Sequence, residues 1–232
     1  MNAVIKTETR IDLRPERPKP MSAYLALPEG SGPFPGVVVI HEIFGLNANI
    51  RDIAERFARE GYAALAVDLF SSGSKVVCMA RIVHGPLFRT LSNGVVRDLQ
   101  AAIDFLGERP EEDPGRLGAI GFCMGGSYAL QLACVSGDMH AASIFYSMNP
   151  RPLEAVAGAC PIVGSFPERD WSARLGRDLE AALEKTSVPH DIKTYPGARH
   201  SFFNDLGGSH HTEAAADAWA RTAAFFEKHL RG

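Results

Sequence analysis

Residues 118–127 read GAIGFCMGGS: an apolar run climbs to Cys123, with Gly121 two residues before it and Gly125 and Gly126 two and three after it. A strand that reverses at once into a helix strains its apex residue, and a Cβ on the flanking residues would strike the neighbouring strand or helix. The spacing G-x-C-x-G therefore predicts a strand, a sharp turn and a helix, with the Cys123 side chain lifted above the carboxyl edge of a sheet. The alternatives are a buried structural cysteine before a glycine-rich turn, or a phosphate-cradling loop. The latter lacks the lysine a P-loop requires, and G-x-G-x-x-G is absent.

The rest of the chain supplies a sheet for that turn. FPGVVVIHEIFG and YAALAVDLF are continuous apolar runs of the kind buried on both faces, and RLGAIGFC feeds the turn itself. Between them NANIRDIAERFAREGY repeats Ile50, Ile53, Ala54 and Phe57 at helical spacing up to Gly61, and SNGVVRDLQAAIDFLGERP is a second amphipathic helix ended by Pro110. After the turn come a helix with SYALQLACV, strands in AASIFYSM, CPIVGSF and HDIKTYPG, helical patterns in PLEAVAGA and RLGRDLEAALEKT, and a closing helix, TEAAADAWARTAAFFEKHL. VIKTETRIDL and MSAYLALP, parted by RPERPKP, are candidates for an antiparallel edge. The alternation predicts a wound α/β sheet in one domain over residues 1–232. The irregular stretch 71–92 reads as a loop or short helices near the site, too short for a lid domain.

Composition narrows the function. Hydrophobic residues make up 46% of the 232 and charged residues 22%, ordinary for a globular chain. The net charge is -3 and the 24 basic residues form no sustained cluster, which argues against nucleic acid. No apolar stretch reaches the length of a membrane helix, and the start, MNAVIKTETR, lacks a signal-peptide core, so a cytoplasmic protein is expected. The four cysteines form no C-x-x-C pair, and His200, His210 and His211 match no familiar ligand spacing, so neither disulfides nor a metal is expected.

A thiol at such a turn needs a base, and the base an orienting group. Asp170 stands just beyond the strand CPIVGSF and His200 just beyond HDIKTY, both at strand ends, where ligands and catalytic groups of open α/β sheets gather. The order Cys123, Asp170, His200 is that of nucleophile, acid and histidine in α/β hydrolases. Asp170 also suits a helix N-cap, Glu168 is a weaker substitute, and His200 alone also suits a surface loop. The Met124 N–H and the Ile43 N–H, in the loop after the third strand, are candidates for an oxyanion hole, and the helix terminus should favour the Cys123 thiolate. Glu42, acidic beside an apolar strand end, is either a solvated loop residue or a site group.

HEIFGLN, GFCMGG, GSFPERD and YPGARHSFFN, in this order, resemble the dienelactone hydrolase (carboxymethylenebutenolidase) family of α/β hydrolases. The resemblance implies a mostly parallel sheet of about eight strands with helices on both faces, a Cys123–His200–Asp170 triad, an acyl-cysteine intermediate and no cofactor. It also implies that Glu42 contacts the resting cysteine and controls its protonation until substrate enters. Enzymes of the family that open dienelactone hold its carboxylate with arginines. Arg81, or Arg89, is a candidate for one; Asn204 stands where another is expected, and His41 replaces a glutamine. The expectation is a hydrolase of small esters or lactones, monomeric or homodimeric. A promiscuous carboxylesterase, thioesterase or phosphotriesterase at the same site, or a hydrolase-fold binder without turnover, are the alternatives.

Overall fold

The computed structural model describes residues 3–13, 19–72, 91, 93–109 and 112–232, the side chains of 112 and 114 excepted. Eight strands form one sheet: β1 (Val4–Ile11), β2 (Met21–Pro28), β3 (Phe34–Ile40), β4 (Ala63–Val67), β5 (Glu112–Phe122), β6 (Met139–Phe145), β7 (Ile162–Arg169) and β8 (His190–Arg199). Their order is β1-β2-β4-β3-β5-β6-β7-β8. The β1–β2 hairpin is antiparallel, as is β2 against β4, and every other pairing is parallel. This is an α/β-hydrolase fold, and no domain-sized insertion interrupts the described residues.

The central strands carry apolar residues without alternation because both faces are covered. Val37, Val38, Val39 and Ile40 of β3 are all fully buried. Successive side chains point to opposite faces, so Val37 and Val39 join one core and Val38 and Ile40 the other. The first core packs under α1 (Ala48–Arg59) and α5 (Thr212–Leu230); the second lies under α2 (Gly94–Gly107), α3 (Met124–Val135) and α4 (Ser172–Leu183). Each such aliphatic side chain contributes about 1.5–3 kcal/mol by leaving water.

Local signals set the helix ends. Asn47 caps α1 by accepting the Ile50 N–H at 3.1 Å, and Asn93 caps α2 by accepting the Val95 and Val96 N–H groups. α1 ends where Gly61 enters the left-handed region (φ 87°) and Tyr62 N–H bonds the Phe57 carbonyl. The PLEAVAGA pattern forms a short 3₁₀ helix, Leu153–Gly158, rather than a full α-helix. Of the irregular stretch 71–92, residues 73–90 and 92 lie outside the described residues, and Arg81 and Arg89 with them. No described helix is long and apolar enough to cross a membrane.

Candidate active site

Cys123 sits at the apex between β5 and α3 with φ 55° and ψ −115°, a strained region for a residue with a side chain. The glycines permit it. A Cβ on Gly121 would lie 2.2 Å from the Gly125 carbonyl oxygen, and one on Gly125 would lie 2.4 Å from the Ile40 oxygen and 2.6 Å from the His41 oxygen. The start of α3 thus rests directly on the end of β3, which brings the Met124 backbone and the loop carrying Glu42 and Ile43 to one edge.

Five neighbouring strands, β3-β5-β6-β7-β8, each deliver one group to that edge. Glu42 follows β3, Cys123 follows β5, Tyr146 follows β6, Asp170 follows β7 and His200 follows β8. The non-glycine residues with positive φ among the described residues are Cys123, Tyr146 (39°) and Ser201 (60°), all at this edge. Strain of this kind, about 1–3 kcal/mol per residue, persists where surrounding structure enforces it.

His200 Nδ1 stands 2.9 Å from Asp170 Oδ2, with the Asp170 side chain 7% exposed and that of His200 29%. Asp170 also accepts from the Ser172 hydroxyl and from the Ser172 N–H at 3.2 Å; the N-cap of α4 is Trp171, so Asp170 stands one residue before the cap and not at it. Burial opposes its ionisation, but the hydrogen bonds from His200 and Ser172 outweigh burial and hold the carboxyl below its usual range. Glu168 is exposed and accepts the Gly197 N–H at 2.9 Å, apart from this pair.

Glu42 is buried, and its donors among the described residues are neutral. The Ser201 hydroxyl donates to Oε1 at 2.7 Å and the Asn204 amide to Oε2 at 3.3 Å. The buried Tyr146 hydroxyl is raised well above its usual pKa, first by burial and then by the charge of Glu42 and a hydrogen bond to it. Asn204 is nearly buried, its carbonyl oxygen accepting the Leu206 N–H at 3.0 Å, so its whole amide is committed inside the protein.

The Cys123 thiol departs from expectation. Burial first, then the charges of Glu42 and Asp170, push its pKa up to about 11. The Met124 N–H acts in the expected direction and lowers it, but one amide at the helix start does not offset burial and two carboxylates. Among the described residues the thiol makes no hydrogen bond with His200. Cys134 and Cys160 are also free thiols, and both are raised to about 12, chiefly by burial.

Comparison with known proteins fits this architecture. The sequence profile of the dienelactone hydrolase family matches residues 21–230. The chain belongs to that family. As a dienelactone hydrolase family member it is a hydrolase of small esters or lactones. It is 34% identical to a Saccharolobus solfataricus protein named "Putative carboxymethylenebutenolidase", over 89% of this chain and 93% of the relative. Among solved structures, one described as a "Putative Dienelactone Hydrolase" from Klebsiella pneumoniae superposes with a TM-score of 0.85 at 30% identity, covering 98% of this chain and 100% of the other. A dienelactone hydrolase-like promiscuous phosphotriesterase from metagenomic libraries superposes at 0.80 and 25% identity, covering 98% and 99%.

Reading the sequence alone missed Tyr146, Ser201 and Trp171. Tyr146 ends a strand beside the Cys123 turn, so the strand-end rule that selected Asp170 and His200 also reaches it. Trp171, 55% exposed, stacks on the His200 ring with centroids 5.5 Å apart, and adjacency to Asp170 was its only signal. His211 Nδ1 accepts the Ala214 N–H at the start of α5, a helix-capping use that separates it from His200.

Proposed function

We propose that the protein hydrolyses its esters or lactones through Cys123 as nucleophile, His200 as base and Asp170 as the group that orients it, with an acyl-cysteine intermediate. The 2.9 Å contact between His200 Nδ1 and the nearly buried Asp170 carries this reading. An Nδ1–H held by a carboxylate leaves the Nε2 lone pair to take a proton. At a pKa of about 11 roughly one thiol in 10⁴ is ionised at pH 7, so the resting enzyme is protected from adventitious alkylation. In turnover the thiol proton passes to His200 as Sγ bonds the substrate carbonyl carbon. The oxyanion is met by the Met124 and Ile43 N–H groups. Collapse expels the alcohol, which takes the proton from His200. Water, deprotonated by His200, then attacks the acyl-cysteine, and the carboxylic acid leaves as the thiol is restored. Glu42 tunes the thiol in this scheme, and the route requires no cofactor.

The test is hydrolysis of a chromogenic acetate ester by the wild type and by Cys123→Ala, with intact mass recorded after rapid quenching. Turnover in the wild type, its loss in the variant and an added acetyl mass on Cys123 are expected. Undiminished activity in Cys123→Ala would remove the thiol from the mechanism.

A further inference from the structure

Resting on the reading of His200 as the base, we infer that Trp171 is a positioning residue for it: the indole face holds the imidazole beside Asp170 and stabilises the positive charge that the ring takes up with a proton. The hydrogen bond from His200 Nδ1 to Asp170 at 2.9 Å fixes one point of the imidazole, not the plane of the ring. Two aromatic side chains set that plane. Tyr146, itself buried, meets the imidazole with centroids 4.9 Å apart and planes at 57°, and Trp171 stacks on it with centroids 5.5 Å apart and planes at 27°. Both separations are those at which aromatic rings attract, and the small angle of the second is that of an offset stack.

The indole stands on fixed backbone. Trp171 is the N-cap of α4 with φ −59° and ψ −29°, already helical values, and its neighbours are tied together: the Ser172 N–H and hydroxyl bond the Asp170 carboxylate, and the Ala173 N–H bonds the Asp170 carbonyl at 3.2 Å. One helix start therefore places both the carboxylate that takes Nδ1 and the ring that faces the imidazole. Trp171 is 55% exposed, so it is not a core residue whose contact with His200 follows from packing alone.

The chemistry gives that contact a use. Taking the proton of the Cys123 thiol, and later that of the water that attacks the acyl-cysteine, turns the neutral imidazole into an imidazolium. Indole offers the strongest cation-binding face of any side chain, to a cation within about 6 Å of the ring centroid. The attraction is weak for the resting ring and strong for the charged one, so it favours the transition states of both steps over bound substrate.

The test compares Trp171→Phe, which keeps an aromatic face of weaker field, with Trp171→Leu, which keeps apolar bulk and no face, in hydrolysis of p-nitrophenyl acetate. At this exposed position both variants should fold, which urea unfolding checks. kcat should fall about 3- to 30-fold in Trp171→Leu and by less in Trp171→Phe, with KM within twofold of the wild type in both. A loss below threefold in Trp171→Leu, or an equal loss in the two variants, overturns the inference and leaves the triad reading standing. A change carried by KM with kcat intact also overturns it and makes Trp171 a wall of the substrate site. No turnover by the wild type removes the triad reading, and the role of Trp171 with it.

Discussion

At the scale of single residues, Glu42 and Asp170 both act by charge on the Cys123 thiol, and the proposed scheme gives them different tasks. Glu42, fixed by Ser201, Asn204 and Tyr146, raises the Cys123 thiol to about 11 together with burial. Removing its charge in Glu42→Gln should lower the thiol pKa, so iodoacetamide at pH 8 should alkylate Cys123 about tenfold faster or more; an unchanged rate would exclude Glu42 as the control. Asp170→Asn should act on turnover instead. An amide in place of the carboxylate no longer fixes the tautomer of His200, and kcat should fall by roughly 10³- to 10⁴-fold, while thiol alkylation, relieved only of the smaller of the two charges on Cys123, should quicken less than in Glu42→Gln. A loss below tenfold in ester hydrolysis would mean that His200 needs no such partner. The sequence pointed to both carboxylates because each stands at a strand end. The helix-terminus argument for a thiolate failed, because the charge state depends on burial and on a carboxylate 81 positions away in the chain, which local spacing does not encode and to which the family resemblance alone pointed.

At the scale of elements, the site depends on backbone approaching backbone. Gly125→Ala places a methyl group 2.4 Å from the Ile40 oxygen, and since both partners are main chain in the sheet and the elbow, no side-chain rotation relieves the clash. The expected result is a loss of more than about 3 kcal/mol or failure to fold, read as soluble yield and as the midpoint of urea unfolding. Gly137→Ala is the control: a Cβ there meets nothing within 4 Å, and its unfolding free energy should stay within about 1 kcal/mol of the wild type in either direction. Similar behaviour of the two variants would show that the elbow tolerates a side chain. The strands and helices around this elbow were readable from buried apolar runs and helical periodicity. The end of β8 was only partly so. The strand continues through Pro196 and Gly197 to Arg199, because Gly197 takes φ 72° and the register against β7 shifts between Pro167 and Arg169. That irregularity sets Arg199 opposite Arg169, and so His200 beside Asp170, which neither β propensity nor alternation predicts.

At the scale of the whole molecule, the outer framework of the site is tied to pH through His41. This residue is fully buried between the ends of β3 and β4. Its Nε2 accepts the Leu69 N–H at 3.1 Å, so the ring proton lies on Nδ1 and is donated to the Glu42 carbonyl. The Phe70 ring packs against it at 5.0 Å and Asp68 lies 3.9 Å from Nε2. Burial lowers the pKa of His41 below 6.5, against the smaller raising effects of the Glu42 carbonyl and Asp68. With the folded value below the unfolded one, the unfolded chain binds more protons between the two. Stability is then complete above pH 6.5 and declines as pH falls from 6.5 through the folded pKa. His229, also lowered chiefly by burial, adds a loss of the same sign, and Asp170 adds another only at more acid pH, below 3.8. Glutamine at position 41 offers one acceptor for Leu69 and one donor for the Glu42 carbonyl without a titrating proton. Urea midpoints measured from pH 8 to pH 5 should therefore fall in the wild type and fall less in His41→Gln, with similar m-values in both. A wild-type midpoint that is flat over this range, or an equally steep decline in His41→Gln, would show that the ends of β3 and β4 tolerate a charged imidazole, and the neutral ring would lose its place as the brace beneath Glu42 and Ile43.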